Sequence, residues 1–433
     1  MSKQTIILGG GLAGLSACYH GAGKIYEKNK TIGGHAKSSS KDGFIFDEGI
    51  HVLHTKNDYV LNLLEKINVD LDTRDRDAWI FSHDVMTRYP FQANTYGLPV
   101  DIVKDCLLGF IENDFTDKKQ IKNYEDWINY MFGKGIAKHF MVPYCKKFWG
   151  VEAKDLSTEW VNVRHPRPSV EEVLTGALQD QKKGFGVNAV YRYPKRGGFG
   201  FVAKCLANKC NGNIKTSMEA TRIDLDKKEI EFNGEEIIGY ENIISTLPLP
   251  DLVRIISDVP GDVIDAAGRL KTNSIFVVNI GVNRAGITDK NWIYYLDKKY
   301  SFIRVSFPSN QSDHVSPPNT SAISAEIAYG HGNPLPVSKE KIVDRVIDEL
   351  ISLNVINKTD KIVYLDTIDV KYGYVIFDKE RKSAVKKIHE YLENVGIIPC
   401  GRYGLWAYLW SDEAILSGKK AVEKLHKLRL NES

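Results

Sequence analysis

The stretch TIILGGGLAGLSACYH, residues 5–20, limits the fold more than any other part of the chain. An apolar run, Ile6–Leu8, ends in a Gly9-x-Gly11-x-x-Gly14 frame. A short unbroken run of β-branched and leucine side chains suits a strand buried on both faces of a parallel sheet. Leu12 to about His20 reads as a helix, with Gly21 and Gly23 past its end. Lys24–Glu27 reads as a second strand ending in a carboxylate. In such a βαβ start, Gly9 and Gly11 let the turn close and the backbone approach a pyrophosphate, and Gly14 lets helix and strand pack closely. The helix N-terminus adds N–H groups and a positive partial charge. Glu27 stands where a ribose needs an acceptor. The bland alternative is a glycine-rich turn with a structural role only.

Composition removes other classes. A chain of 433 residues suits two or three domains. With 43% hydrophobic and 26% charged residues it has an ordinary globular make-up, and a formal charge of +3 does not fit a nucleic-acid binder. No apolar run reaches the roughly 18 residues of a membrane span. The first residues show no basic-then-apolar leader, so a cytoplasmic protein without stable membrane insertion is expected. The six cysteines (18, 106, 145, 205, 210 and 400) are scattered and are expected to be buried free thiols, with no metal site. His51 and His54 could suggest a metal pair, but no third ligand follows at metal spacing.

The texture of the chain changes along its length. Residues 58–70, 100–112, 122–140 and 169–182 have helical spacing, so 57–185 is expected to be a mostly helical insertion. From about 190 short strands separated by turn residues dominate, with Asn233-Gly234 as a hairpin signal. Further strands are expected at 274–284 and 292–306, an amphipathic helix at 340–354 and a closing helix at 412–429.

Three segments decide the nucleotide. YEKNKTIGGHAKSSSKDGFIFDEGIHVLH (26–54) carries a glycine pair, Gly33-Gly34, before a strand-like GFIFDEG. With IISTLPLP (243–250) and IIPCGRYGLWAYLWSDEAILSGKKAVEKL (397–425), it resembles the flavoproteins that include amine oxidases and protoporphyrinogen oxidase. That resemblance implies FAD held by Gly9, Gly11, Leu12, Ala13, Gly14, Glu27, Lys28, Gly33, Gly34, His35, Gly401, Arg402, Trp406 and Tyr408. No second G-x-G-x-x-G follows, so no separate NAD(P)H domain is expected. The implied fold class is α/β: a Rossmann-like FAD-binding domain assembled from 1–56, 186–250 and 391–433, the helical insertion 57–185, and an antiparallel-sheet substrate domain over 251–390.

RYPFQANTYGLP (88–99), FMVPYCKKFWG (140–150), VYRYPKRGGFG (190–200) and KYGYVIFD (371–378) follow in order. Together with the two ends, they are similar to the UDP-galactopyranose mutase family over about 5–425. The similarity implies an isomerase that interconverts pyranose and furanose rings of a nucleotide-linked sugar in cell-surface polysaccharide biosynthesis. In that chemistry N5 of reduced FAD attacks the anomeric carbon, and NAD(P)H is the expected reductant. The implied residues are Arg304 bridging the substrate's phosphates, Arg164 as a second substrate arginine, Tyr374 and Tyr408 as phosphate-binding hydroxyls, Trp149 in the active site, and His51 in a loop beside the flavin. The sequence departs from the family at Gly49-Ile50-His51, where a second glycine is usual, and at Cys145, Gln311 and Asp412. Restricted loop switching and a sugar other than galactose, deoxy or N-acetylated, are therefore expected. An amine-oxidase-type oxidoreductase and a flavoprotein without catalysis are the competing classes. Oligomeric state is left open.

Overall fold

A computed structural model describes residues 4–113, 121–161, 165–181, 189–330 and 332–432. Its first sheet grows from the segment that opens the sequence. The strand Gln4–Leu8 runs parallel to Lys24–Tyr26 on one side and to the second half of Glu236–Ser245 on the other. Ile214–Lys215 and Ile397–Pro399 extend it at either edge, also in parallel. Ile6, Ile7, Ile25, Ile243 and Ile244 have no exposed surface, which is why these strands read as unbroken apolar runs. The first half of Glu236–Ser245 turns back antiparallel onto Glu229–Phe232 across Asn233-Gly234, as the sequence predicts. The helix Leu12–Tyr19 packs against the closing helix Ser411–Glu432, and Ser16 Oγ donates to the Ile415 carbonyl at 2.6 Å.

A second sheet stands beside the first. Its order is Ile362–Val370, Ser274–Val282, Ser321–Tyr329, Arg304–Ser306, Trp292–Tyr295, Ala78–Ser82, Val85–Arg88. All pairs are antiparallel except Trp292–Tyr295 with Ala78–Ser82. The amphipathic helix Lys339–Ser352 contributes Ile342, Val346 and Leu350 to the same apolar cluster as this sheet. The hairpin Ser38–Lys41/Phe44–Asp47 meets the sheet through Phe44, Phe46, Ala322 and Tyr364, which carries the chain past residue 48 along it.

The stretch 57–185 corrects one expectation. It holds the helices Asp58–Lys66, Val100–Ile111, Tyr124–Ile136, Val142–Trp149 and Val170–Leu178, but also three strands. Leu71–Asp75 pairs with Val190–Pro194, while Ala78–Ser82 and Val85–Arg88 complete the second sheet, which is thus not confined to 251–390. The hairpin between these last two turns through His83 and Asp84, both with positive φ (54° and 58°), and so lacks the Asn-Gly or Asp-Gly cue. Among the described residues no helix is long and apolar enough to cross a membrane. All six cysteines are buried and free.

Candidate active site

The glycine loop, the glycine pair and the C-terminal segment meet at one place. Gly33 donates its N–H to the Gly10 carbonyl at 2.8 Å, and Gly11 pairs with Gly33 as a short parallel bridge. A Cβ built on Gly14 would lie 2.0 Å from the Gly9 carbonyl oxygen, and one on Gly401 would lie 3.0 Å from Ala13 Cβ. Leu12 and Ala13 are buried in the first turn of Leu12–Tyr19, whose leading N–H groups have no intrahelical acceptor. Glu27 is buried, and its carboxylate is fixed by N–H donors from Gly10 (2.7 Å) and Asn29 (backbone 2.8 Å, side chain 2.6 Å). The Gly401 N–H donates to Ser417 Oγ at 2.9 Å, which ties that turn to the closing helix. This cradle fits a dinucleotide: narrow glycine backbone, helix N-terminus and an acceptor at the end of the second strand.

Beside the cradle opens a cavity of about 270 Å³ lined by strands of the second sheet, the loop 48–54, the helix Val142–Trp149 and the C-terminal segment. Its wall brings together His35, His51, Arg304, Tyr374, Arg402 and Tyr408, which are more than three hundred residues apart at the extremes. Tyr374 and Tyr408 stand ring to ring at 5.9 Å, with the Arg402 guanidinium 5.7 and 5.5 Å from their centres. Trp149 packs on both tyrosines, at 5.4 and 5.6 Å, from a smaller aromatic cavity of about 70 Å³ that shares Arg76, Tyr89, Tyr144, Phe148, His165 and Tyr408 with the larger one. Cys145 lines only the smaller space.

Charge in the wall is arranged rather than diffuse. Arg304 is 8% exposed, and its Nε and Nη2 both donate to Glu326 Oε2, at 3.1 and 2.5 Å. Burial is the largest single influence and would lower its pKa, but Glu326, Tyr374 and Tyr294 beside it together outweigh burial and raise it. Burial pushes Tyr374 up to about 12, so its hydroxyl stays a donor at neutral pH. Burial holds His51 down at about 4 against a hydrogen bond to the Gly49 carbonyl at 3.2 Å, and His54 sits at about 4 for the same reason. His35 is anchored at Nδ1 by Glu48 at 2.7 Å, and Lys37 holds the other Glu48 oxygen at 2.8 Å.

Other sequence-predicted residues fall elsewhere. Lys28 is exposed and lies outside the cavity wall. Trp406 is buried, with its carbonyl accepting from Arg381 Nε at 2.8 Å, and it does not line the cavity. Gln311 and Asp412 are buried and do not line the cavity. Arg164 lies outside the described residues. Gly49 takes the positive φ of the loop, +77°, and Ile50 does not, so Ile50 fits this loop conformation without strain. Sequence reasoning missed Arg76, Tyr294 and Glu326. Arg76 stacks on Tyr89 at 4.4 Å and has no carboxylate partner among the described residues. Glu326 had a signal: it is the one charged residue in the apolar strand SAISAEIAY.

The model of the flavin containing amine oxidoreductases matches residues 12–364. The chain belongs to that family. Within it, a crystal structure of reduced UDP-galactopyranose mutase shares the fold with a TM-score of 0.92 and 26% identity, over 99% of this chain and 94% of that one. Putrescine oxidase with bound putrescine shares the fold alone, with a TM-score of 0.68 and 13% identity over 98% and 99% of the two chains. Mitochondrial protoporphyrinogen oxidase from Nicotiana tabacum is 22% identical over 270 residues, 54% of this chain and 50% of that protein. The chain thus spans about half the length of the tobacco relative. The α/β fold expected from the sequence is the one this family uses.

Proposed function

We propose that the chain is an FAD-dependent nucleotide-sugar mutase that exchanges pyranose and furanose rings, with a UDP-sugar as the preferred substrate class. The carrying observation is the cavity wall itself: three arginines, and Tyr374 and Tyr408 among its tyrosines, face the same space as His35 and His51, beside the dinucleotide cradle. When bound and reduced, with NAD(P)H as the proposed donor, FAD supplies a nucleophile for the anomeric carbon. The chain's own residues do the rest. Arg304 holds the negative phosphates through its remaining nitrogen, Nη1, which has no protein acceptor among the described residues, while Arg402, whose Nε and Nη2 donate to the Leu409 carbonyl, serves the flavin side of the wall. Tyr374 donates its hydroxyl to a phosphate oxygen, and Tyr408 adds a second. Arg76 extends the positive wall toward the aromatic cavity, where a planar base can stack on Tyr, Phe or Trp rings. His51 stays neutral above its pKa of about 4 and, with the hydrogen on Nδ1, keeps Nε2 as an acceptor. Arg164 is proposed to join from the insertion.

An oxidase would instead need an apolar channel. This wall carries Arg76, Arg304, Arg402, Glu48 and Glu326. The test is to incubate the dithionite-reduced holoprotein with UDP-galactose and related nucleotide sugars and resolve the ring isomers chromatographically. Ring exchange that appears only with reduced flavin is expected, and Arg304→Ala should weaken UDP binding by about tenfold or more while FAD stays bound. Hydrogen peroxide release with an amine, and no ring exchange with any nucleotide sugar, would overturn the proposal.

A further inference from the structure

The second sheet ends on one side at Ile362–Val370, which pairs only with Ser274–Val282 among the described residues. Asn283 donates its N–H to the Lys361 carbonyl at 3.1 Å. By alternation, Gly281, Asn279, Val277 and Ile275 also turn their backbone groups toward the edge strand, where they face Tyr364, Asp366, Ile368 and Val370. The N–H and C=O groups of Leu365, Thr367 and Asp369 therefore point out of the sheet, and none has a protein partner among the described residues. The side chains along this edge are apolar and open: Val363 is 49% exposed and Leu365 47%. Edge strands are commonly blunted by a proline or a lysine, and Ile362–Val370 contains neither.

We propose that this edge is an interface for a second copy of the chain: two Ile362–Val370 strands pair antiparallel about a two-fold axis beside Leu365 and join the two second sheets into one. The strand's own sequence selects both the occupant and the register. About that axis Leu365 faces Leu365, Val363 faces Thr367, Ile362 faces Ile368, and Lys361 faces Asp369 of the other copy. Apolar, β-branched and opposite-charge pairs are each favourable across a strand pair. Lys361 has no carboxylate partner among the described residues, so its charge is available, while Asp369 is held in place by Lys339 and the Tyr329 hydroxyl. Neighbouring registers fail. An axis beside Asp366 sets carboxylate against carboxylate and Lys361 against Lys371, and one beside Tyr364 sets Ile362 against Asp366. An axis between two residues turns outward backbone groups onto inward ones. Matching of a strand with itself, charged at both ends, is what an isologous two-fold contact requires. One strand pair is a small contact, so a dissociation constant on the order of 10 µM is expected rather than an obligate dimer.

The experiment is sedimentation velocity of the purified full chain over a concentration series from about 0.5 to 100 µM, in which the mass should rise from one chain toward two. Leu365→Lys sets two ammonium groups face to face, and Lys361→Glu turns both end pairs repulsive. Each should raise the dissociation constant by about fivefold or more. Both alter exposed side chains, and circular dichroism checks that the fold is kept; Lys361→Glu alone decides if Leu365→Lys does not fold. Register is read by oxidative crosslinking with a copper catalyst, the six native cysteines being buried. Leu365→Cys lies opposite its own copy and should form a covalent dimer, whereas the two copies of Val363→Cys stand on the order of 13 Å apart and should not. A chain that stays single throughout the series overturns the interface, and so does Val363→Cys crosslinking as readily as Leu365→Cys. A dimer that the folded charge variants leave intact overturns it too, and assigns the contact to another face, such as the exposed Val100, Leu108 and Ile111 of Val100–Ile111.

Discussion

His51 and His54 show how single side chains at this site report on their surroundings. Each is held near 4, below the ordinary imidazole value of 6.5, chiefly because burial disfavours the charged ring. The unfolded chain therefore binds protons more readily, and stability that is complete above about 6.5 is lost as the pH falls toward 4. Asp47 acts the other way: burial raises it to about 6, so its contribution is lost as the pH rises through that value. Melting temperature should fall between pH 7 and 5, and His51→Asn should make that fall smaller, as followed by circular dichroism. A pH slope unchanged by the substitution would show that the ring does not titrate as its burial implies. Residues at this scale were unevenly legible. His51, Tyr374 and Arg304 could be picked out only through the likeness of their segments to a known family, and the structure brings all three to one cavity wall. The partner of Arg304 could not, because twenty-two positions separate it from Glu326 and only sheet register places them face to face.

Elements were easiest to read where their cues are local. The opening strand, the helix after it and the Asn233-Gly234 hairpin all announce themselves within a dozen residues. The hairpin through His83-Asp84 does not, since two non-glycine residues at positive φ carry no cue of their own. Within the opening unit, Gly14 sets the distance between strand and helix. A side chain there would collide with the Gly9 carbonyl at 2.0 Å, so Gly14→Val should push the helix off the loop and purify without bound flavin. The ratio of visible flavin absorbance to protein absorbance measures this directly. A fully loaded Gly14→Val protein would mean that the cradle lies elsewhere.

For the molecule as a whole, the cradle and the cavity depend on segments from both halves of the sequence. Gly401 abuts Ala13, Ser417 holds the Gly401 amide, and Ile397–Pro399 pairs with Glu236–Ser245. A chain ended before Ile397 is therefore expected to lose flavin, even though the Gly9–Gly14 loop remains, and to be cut by protease far faster than the full chain. The cavity as a whole was legible only through the likeness of spaced motifs to a family, since no periodicity predicts which distant segments will share a wall. The parallel sheet has one more consequence, for biosynthesis. Gln4–Leu8 gains one neighbour as soon as Lys24–Tyr26 emerges from the ribosome, but its other edge waits for residues near 240. At ordinary translation speeds that edge stays open for on the order of tens of seconds. The nascent polypeptide thus displays an unpaired, isoleucine-rich ribbon through about half of its synthesis, the kind of open edge that invites aggregation before the fold can close.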